Sequence, residues 1–391
     1  MHPKLSRNTV VASVASFLVD VSSEMIFPLL PFFLTVTLGS PVIVVTLMEG
    51  LGEFAAAITA LFFGLYSDKL GKRKSIVIFG YSLSALFKMF LIYATIWPQV
   101  VFFRVIERVG KGIRESPRDA LIALSEKKEN LEAAFGFRKL MDTAGAMLGP
   151  ILSAALIALF FNNTHGIDSY RFLFTIAFMP AVLGVVVLLL LKEKEARAVP
   201  FAINVTRLLK NERVKRLSTV MALFALGQFS VLLLLAWGGR FFDLVFVPIL
   251  YLAYLASFAS FSFSAPYLLK IMNERKIIML GIILFAIGML VFAYIRVPML
   301  ILANFIVLGI SMAVFETVPL AYLVRGTEEG GYASTVGFYR ALLGIVALPS
   351  NFIAGMLWEI SILGAPAPFL FSAFVALAAL LAFYVVVRDN V

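Results

Sequence analysis

Asp20 and Glu24 stand four residues apart in an otherwise apolar run, and Glu49 and Glu53 repeat that spacing in the next run. Four residues make about one helical turn, so each pair of carboxyls shares a helix face. Lys88 lies in the third run, and the fourth reads Arg104-Val-Ile-Glu107-Arg108-Val-Gly110-Lys111-Gly112. These groups suit proton exchange and charge recognition. A buried carboxyl can take up a proton and a nearby arginine can hold it ionised. Protonation gated by the distance to Arg104 would therefore couple proton movement to a change of shape. Bond-making chemistry has less to work with. There is no cysteine, and the two histidines, His2 and His165, fall near loop ends. No metal centre, cofactor or enzyme activity is expected, because no nucleotide loop or nucleophile–base set accompanies the charges.

The elements that must position these side chains are membrane helices. The chain has 391 residues, 61% of them hydrophobic and only 14% charged. A soluble protein of this length cannot bury so much apolar surface. Apolar runs of about 20 residues, the length that spans the hydrocarbon core, recur at 10–36, 42–64, 75–95, 98–122, 134–161, 170–191, 217–238, 244–269, 277–295, 298–323, 333–358 and 367–387. The expected fold class is an all-α integral membrane protein with twelve transmembrane helices in two six-helix bundles. The expected divisions are residues 1–191, a charged cytoplasmic linker 192–216 and residues 217–391. Part of the linker, Phe201 to Leu209, has the pattern of a segment lying on the membrane surface.

The net charge of +10 is distributed as topology dictates rather than as a nucleic-acid surface. Counted from a cytoplasmic N-terminus, the inside segments carry Lys69, Lys72, Arg73, Lys74, Lys127, Lys128 and the basic linker, while the outside loops carry Arg171, Arg240 and Arg296. This positive-inside bias puts both termini in the cytoplasm. Charged groups near the bilayer centre cost about 2.5–3.5 kcal/mol each on insertion scales. Asp20, Glu24, Glu49, Glu53, Lys88, Arg104, Glu107, Arg108 and Lys111 are thus expected to form a paired network with at least one acid free to take a proton. A purely structural set of ion pairs would gain little over apolar packing.

Gly64-Leu-Tyr-Ser-Asp68-Lys-Leu-Gly71-Lys72-Arg73-Lys74 joins the second and third runs. It resembles the signature loop of the major facilitator superfamily, Gly-x-Leu-x-Asp-x-x-Gly-Arg/Lys-Arg/Lys. Gly136, Gly145, Gly149 and Pro150 resemble the fifth-helix motif of that family's drug–proton antiporters, with Ser153 and Ala154 where two glycines are usual. Pro28 and Pro31 look like the first-helix end of the same branch, and Arg104 with Glu107 resembles its fourth-helix motif, with Arg108 in place of glycine. A faint internal repeat accompanies these motifs: Pro117 and Gly136 in the first half match Pro319 and Gly337 in the second.

The resemblance implies a secondary transporter in the plasma or inner membrane, working as a monomer by alternating access with the substrate near the midplane. It implies proton-coupled antiport that exports a small organic or amphipathic compound, as in multidrug efflux. Uptake of an anionic metabolite by symport or facilitated diffusion is the alternative, and a lipid or lysolipid flippase is a third. Asp20, Glu24, Glu49, Glu53, Arg104 and Glu107 are the expected proton-coupling residues. Lys88, Arg108, Lys111, Gln228, Tyr251, Tyr254, Phe258 and Glu316 are the expected substrate contacts. Gly64, Asp68, Gly71, Lys72, Arg73, Asp119, Arg138, Asp142 and Arg340 are the expected inner gate. There the resemblance implies that Asp68 meets the start of the eleventh helix and that Lys72 and Arg73 pair with Asp119.

Overall fold

The computed structural model describes residues 5–161, 166–194, 211–325, 332–360 and 366–387. His2, His165 and most of the expected linker, including Phe201 to Leu209, lie outside the described residues. The long elements are all helical: α1 (Arg7–Thr37), α2 (Val42–Leu70), α3 (Lys74–Ile92), α4 (Trp97–Ser125), α5 (Leu131–Phe160), α6 (Ile167–Leu188), α7 (Glu212–Phe241), α8 (Val247–Ile271), α9 (Glu274–Tyr294), α10 (Pro298–Arg325), α11 (Tyr332–Glu359) and α12 (Ala367–Val386). Among the described residues, 11 of these are long and apolar enough to cross a membrane. The exception is α4, whose 29 residues include Arg104, Glu107, Arg108, Lys111, Arg114, Glu115, Arg118 and Asp119. It has the length to span but needs its neighbours to answer its charge.

The chain divides into two compact units. One contains Met1–Ser40 and Leu51–Ala202; the other contains Pro41–Gly50 and Ile203–Val391. In the first, α1 packs on α5 and α6, and α3 packs on α4 and α6. Val11, Ala12, Ala15 and Val19 of α1 meet Val77 and Tyr81 of α3 and Leu121 and Ile122 of α4 in its core. In the second, α10 packs on α8 and α9, and α12 packs on α7 and α9. Polar side chains there are answered by helix carbonyls: Asn304 donates to the Gly288 carbonyl at 2.8 Å and Ser311 to that of Gly281 at 2.9 Å. The start of α2 belongs to this second unit, where the Ile43 amide donates to Glu359 at 3.1 Å.

Pro28 and Pro31 lack an amide hydrogen and interrupt the α ladder of α1. The helix passes through a 3₁₀ turn at Phe27–Leu29 and a wide π turn at Phe33–Thr37. Pro117 and Pro319 both lie inside helices, α4 and α10, and Gly136 and Gly337 both face open space. The two copies of the faint sequence repeat thus have the same local structure.

The stretch 64–74, expected as a loop, is mostly helix. Only Gly71–Arg73 separates α2 from α3, because Asp68 and Lys69 ride the last turn of α2 where the apolar run has ended. Gly71 has a φ of 65°, a conformation that an L side chain resists.

Without a hydrophobic drive between them, membrane helices associate where small residues let backbones approach. A methyl placed on Gly145 would lie 2.5 Å from the Phe17 carbonyl oxygen and 3.2 Å from Asp20 Cβ. One on Gly149 would lie 2.8 Å from the carbonyl carbon of Glu24. The glycine motif of α5 is therefore the seat of α1 at its two acids. Gly149→Ala is expected to destabilise by about 1–3 kcal/mol through overpacking, and Gly136→Ala to cost nothing. Thermal unfolding of the purified variants in one detergent checks the difference; equal melting temperatures would contradict it.

Candidate functional site

The charged side chains of the first unit converge between α1, α3, α4 and α5. Arg104 and Glu107, one turn apart on α4, pair at 2.5 Å, and Glu107 also draws Lys88 of α3 to 3.5 Å. Lys88 is 1% exposed. It donates to Ser23 at 2.7 Å, Ser22 at 3.1 Å and the Val19 carbonyl at 3.4 Å. This buried ammonium ties α3 to α1 as well as to α4. Arg104, with its guanidinium carbon 5.6 Å from the Phe27 ring, belongs to Glu107. Arg104 and Glu107 lie on the same helix face, and among the described residues Arg104 makes no ion pair with Asp20.

Arg108 pairs with Glu53 of α2 at 2.6 Å, and Lys111 reaches Glu115 at 3.8 Å. Glu49 is 4% exposed and falls with the second unit, so the second acid pair straddles the division of the chain. Asp20 is different. It is half-buried against Gly145 of α5, and among the described residues its carboxylate makes no hydrogen bond and has no cation within 4.0 Å. The charges that act on it are Asp142 of α5, Arg114 and Lys111 of α4, and Glu24. Glu24 sits one turn along against Gly149.

The expected gate residues form two separate groups. Arg73 pairs with Asp68 at 2.7 Å. The amides of Arg73 and Lys74 donate to Glu193 at 3.0 and 3.1 Å. Lys72 is exposed, and Gly64 packs against Ser116 of α4. Asp119 is not the partner of Lys72 or Arg73. It takes Arg118 at 3.0 Å and Arg138 at 3.6 Å, and Arg138 also holds Asp142 at 2.9 Å. Arg118 and Arg138 can reach Asp119 because they lie beside it on α4 and α5, whereas Arg73 is spent on Asp68, five residues before it across the α2–α3 joint.

In the second unit Gln228 donates to the Met312 sulfur at 3.3 Å, and the Tyr251 and Tyr254 rings stack 6.2 Å apart. Phe258 follows Tyr254 one turn along α8 and is half-buried. Glu316 on α10 and Arg340 on α11 are exposed. Pro150 is buried inside α5.

Residues not singled out by the sequence also hold the site. Glu193 caps the exposed amides at the start of α3, the usual place for an acid at a helix N-terminus. Its only sequence signal is an acid just after an apolar run. Asn8 exchanges hydrogen bonds with the Lys192 backbone at 2.9 Å, and Glu126, just past α4, accepts from the Ser6 amide at 2.7 Å and the Thr9 hydroxyl at 2.6 Å. Partial burial penalises the Glu126 charge, but the hydrogen bonds from Thr9 and Ser6 outweigh it and hold the carboxyl below its usual range.

The sequence profile of the Major Facilitator Superfamily matches residues 12–252. The chain belongs to the Major Facilitator Superfamily. An uncharacterised MFS-type transporter of Methanocaldococcus jannaschii is 33% identical over 368 residues, covering 92% of this chain and 90% of that one. An uncharacterised Mycobacterium tuberculosis protein is 23% identical over 380 residues, covering 92% and 89%. Among solved structures, the nucleoside transporter NupG superposes with a TM-score of 0.80 at 14% identity, over 98% of this chain and 100% of that one. A D-xylose–proton symporter superposes with a TM-score of 0.80 at 13% identity, over 97% of each. At those identities the structures share the fold alone. The protein is thus a multi-pass membrane transporter of the MFS type with a small-molecule substrate, and it is not an enzyme.

In this MFS transporter the pairs make two stability predictions. Glu107→Gln leaves Lys88 and Arg104 without their acid and is expected to cost about 3–5 kcal/mol. Adding Lys88→Met should recover part of that loss in a double-mutant cycle of thermal unfolding. The Glu126 carboxyl, held low, stabilises the fold above its ordinary value of 4.5 and loses that contribution as pH falls through its folded value. The melting-temperature gap between wild type and Glu126→Gln should therefore be full at neutral pH and close on acidification; a gap that widens would contradict the assignment.

Proposed function

We propose that the protein is a proton-coupled secondary active transporter working by alternating access, with Asp20 as its proton carrier. Asp20 supports this reading best: it is the carboxylate of the α1–α5 contact that no cation holds, and Asp142 and Glu24 are like charges that act on it. Glu53 and Glu107, also expected to carry protons, are committed to Arg108 and to Arg104 with Lys88. They serve as fixed charges around the site.

Alternating access rearranges the halves 1–191 and 217–391, with residues 192–216 as their linker. α4 crosses as the twelfth span, its cost met by the pairs it makes. Both termini are cytoplasmic, the protein sits in the plasma or inner membrane, and it works as a monomer in the bilayer. The Asp68–Arg73 pair with Glu193, and the Asp119–Arg138–Asp142 group, form the inner gate. Gln228, Tyr251, Tyr254, Phe258 and Glu316 present a weakly charged substrate surface.

Two modes follow from the sign of coupling. Antiport, the export of a small organic or amphipathic compound, is supported by the glycine–proline seat of α1 on α5. Co-transport of an anion is the second reading, favoured by Arg114, a buried cation on α4 that makes no ion pair among the described residues.

A thermal-shift screen of metabolites and drugs at two pH values identifies a substrate, which is then followed in proteoliposomes. Asp20→Asn is expected to abolish its proton-driven accumulation and to leave counterflow exchange intact. Undiminished proton-driven accumulation in Asp20→Asn would remove Asp20 from the mechanism.

A further inference from the structure

We propose that Arg114 is an anion-receiving position, so that the transported compound carries an oxyanion, a carboxylate or a phosphate, that binds together with the proton. Arg114 lies on α4 two turns from Glu107 and is 5% exposed. Its guanidinium carbon stands 4.1 Å from the centre of the Tyr81 ring on α3. Its Nε and Nη1 are buried with no acceptor, and among the described residues the side chain makes no hydrogen bond and no ion pair.

The other cations of this interior have partners. Lys88 and Arg104 have Glu107, Arg108 has Glu53, Lys111 has Glu115, Arg118 has Asp119 and Arg138 has Asp142. A guanidinium offers five donors and is always charged. Stacking on an aromatic ring contributes about 0.5–2 kcal/mol, less than the several kcal/mol of a buried unpaired ion. A planar oxyanion supplies what the site lacks.

Two acids act on Arg114: Glu115, already paired with Lys111, and Asp20, which faces Arg114 and Lys111 from α4, Asp142 from α5, Lys88 from α3 and Glu24 on its own helix. Ionised, Asp20 balances Arg114 at a distance. Once Asp20 carries a proton, the Arg114 charge is uncompensated and an anion replaces the lost carboxylate. Each ligand thereby strengthens the other, which is the linkage that co-transport requires. This inference rests on the second reading above, and the experiment separates the two.

Purified full-length protein is titrated with benzoate and with inorganic phosphate against chloride at equal ionic strength. Thermal stabilisation and proton uptake in weak buffer are recorded at two pH values. One of the two anions is expected to stabilise wild type, more strongly at the lower pH and with uptake of protons; which of them does so tells carboxylate from phosphate. R114Q should weaken that binding by about tenfold or more, a loss of about 1.4 kcal/mol or more. R114K, which keeps the charge without the planar fork, should fall between and serves if R114Q does not fold. D20N should bind the same anion with no pH dependence beyond the titration of the anion itself, which phosphate shows and benzoate does not near neutral pH. Neither anion stabilising above chloride, or both Arg114 variants binding like wild type, would overturn the proposal. Anion binding lost in R114Q but still pH-dependent in D20N would keep the anion site and remove Asp20 from its control.

Discussion

A charge held away from water must find a counter-charge or a hydrogen-bonding shell, and that requirement organises the first half of this transporter. α4 fails the apolarity test that the other long helices pass. It is placed where its neighbours answer it: Glu53 from α2, Lys88 from α3, and Arg138 from α5 against Asp119. Each pair fixes a spacing between two helices. Lys88 fixes three at once, since its ammonium bonds α1 through Ser22 and Ser23 and meets α4 through Glu107. Breaking one member of such a set leaves the rest exposed to the full cost of burial.

The exceptions to pairing then stand out as the places with work to do. In the interior of the first unit, among the described residues, Asp20 and Arg114 are an acid and a base that make no ion pair. Their helices are held differently. α1 is seated closely on the glycines of α5 at Asp20, and Arg114 is braced on Tyr81. A proton or an anion can enter this arrangement, while a change of side-chain position is costly. Chemistry of this kind suits a device that moves charge without making bonds.

Much of the frame is legible in the sequence. The apolar runs fall within a few residues of the helices, and the Pro-x-x-Pro of the first run marks where α1 leaves the α ladder. The second apolar run ends at residue 64, short of the helix end at Leu70, because Asp68 and Lys69 end its apolarity before they end its helix. Local pairs such as Arg104–Glu107 follow from spacing. Long-range choices do not: nothing near Arg73 says that it prefers Asp68 to Asp119, and nothing near Lys88 names the serines of α1. Glu193 was hidden in a basic stretch because its partners are backbone amides, which leave no mark in composition. In the sequence Arg114 is one more cation of the charged fourth run. Its lack of an acceptor is visible only once the neighbouring side chains are in place.

The central claim is that Asp20 takes up the proton that drives the transporter. Infrared difference spectroscopy of the purified protein, acid minus neutral, reads the carbonyl band of a protonated carboxyl directly. The account predicts such a band in wild type, its loss in Asp20→Asn, and its retention in a variant that removes the exposed acid Glu316. A band of full intensity in Asp20→Asn would contradict the account, since another carboxyl would then be carrying the proton.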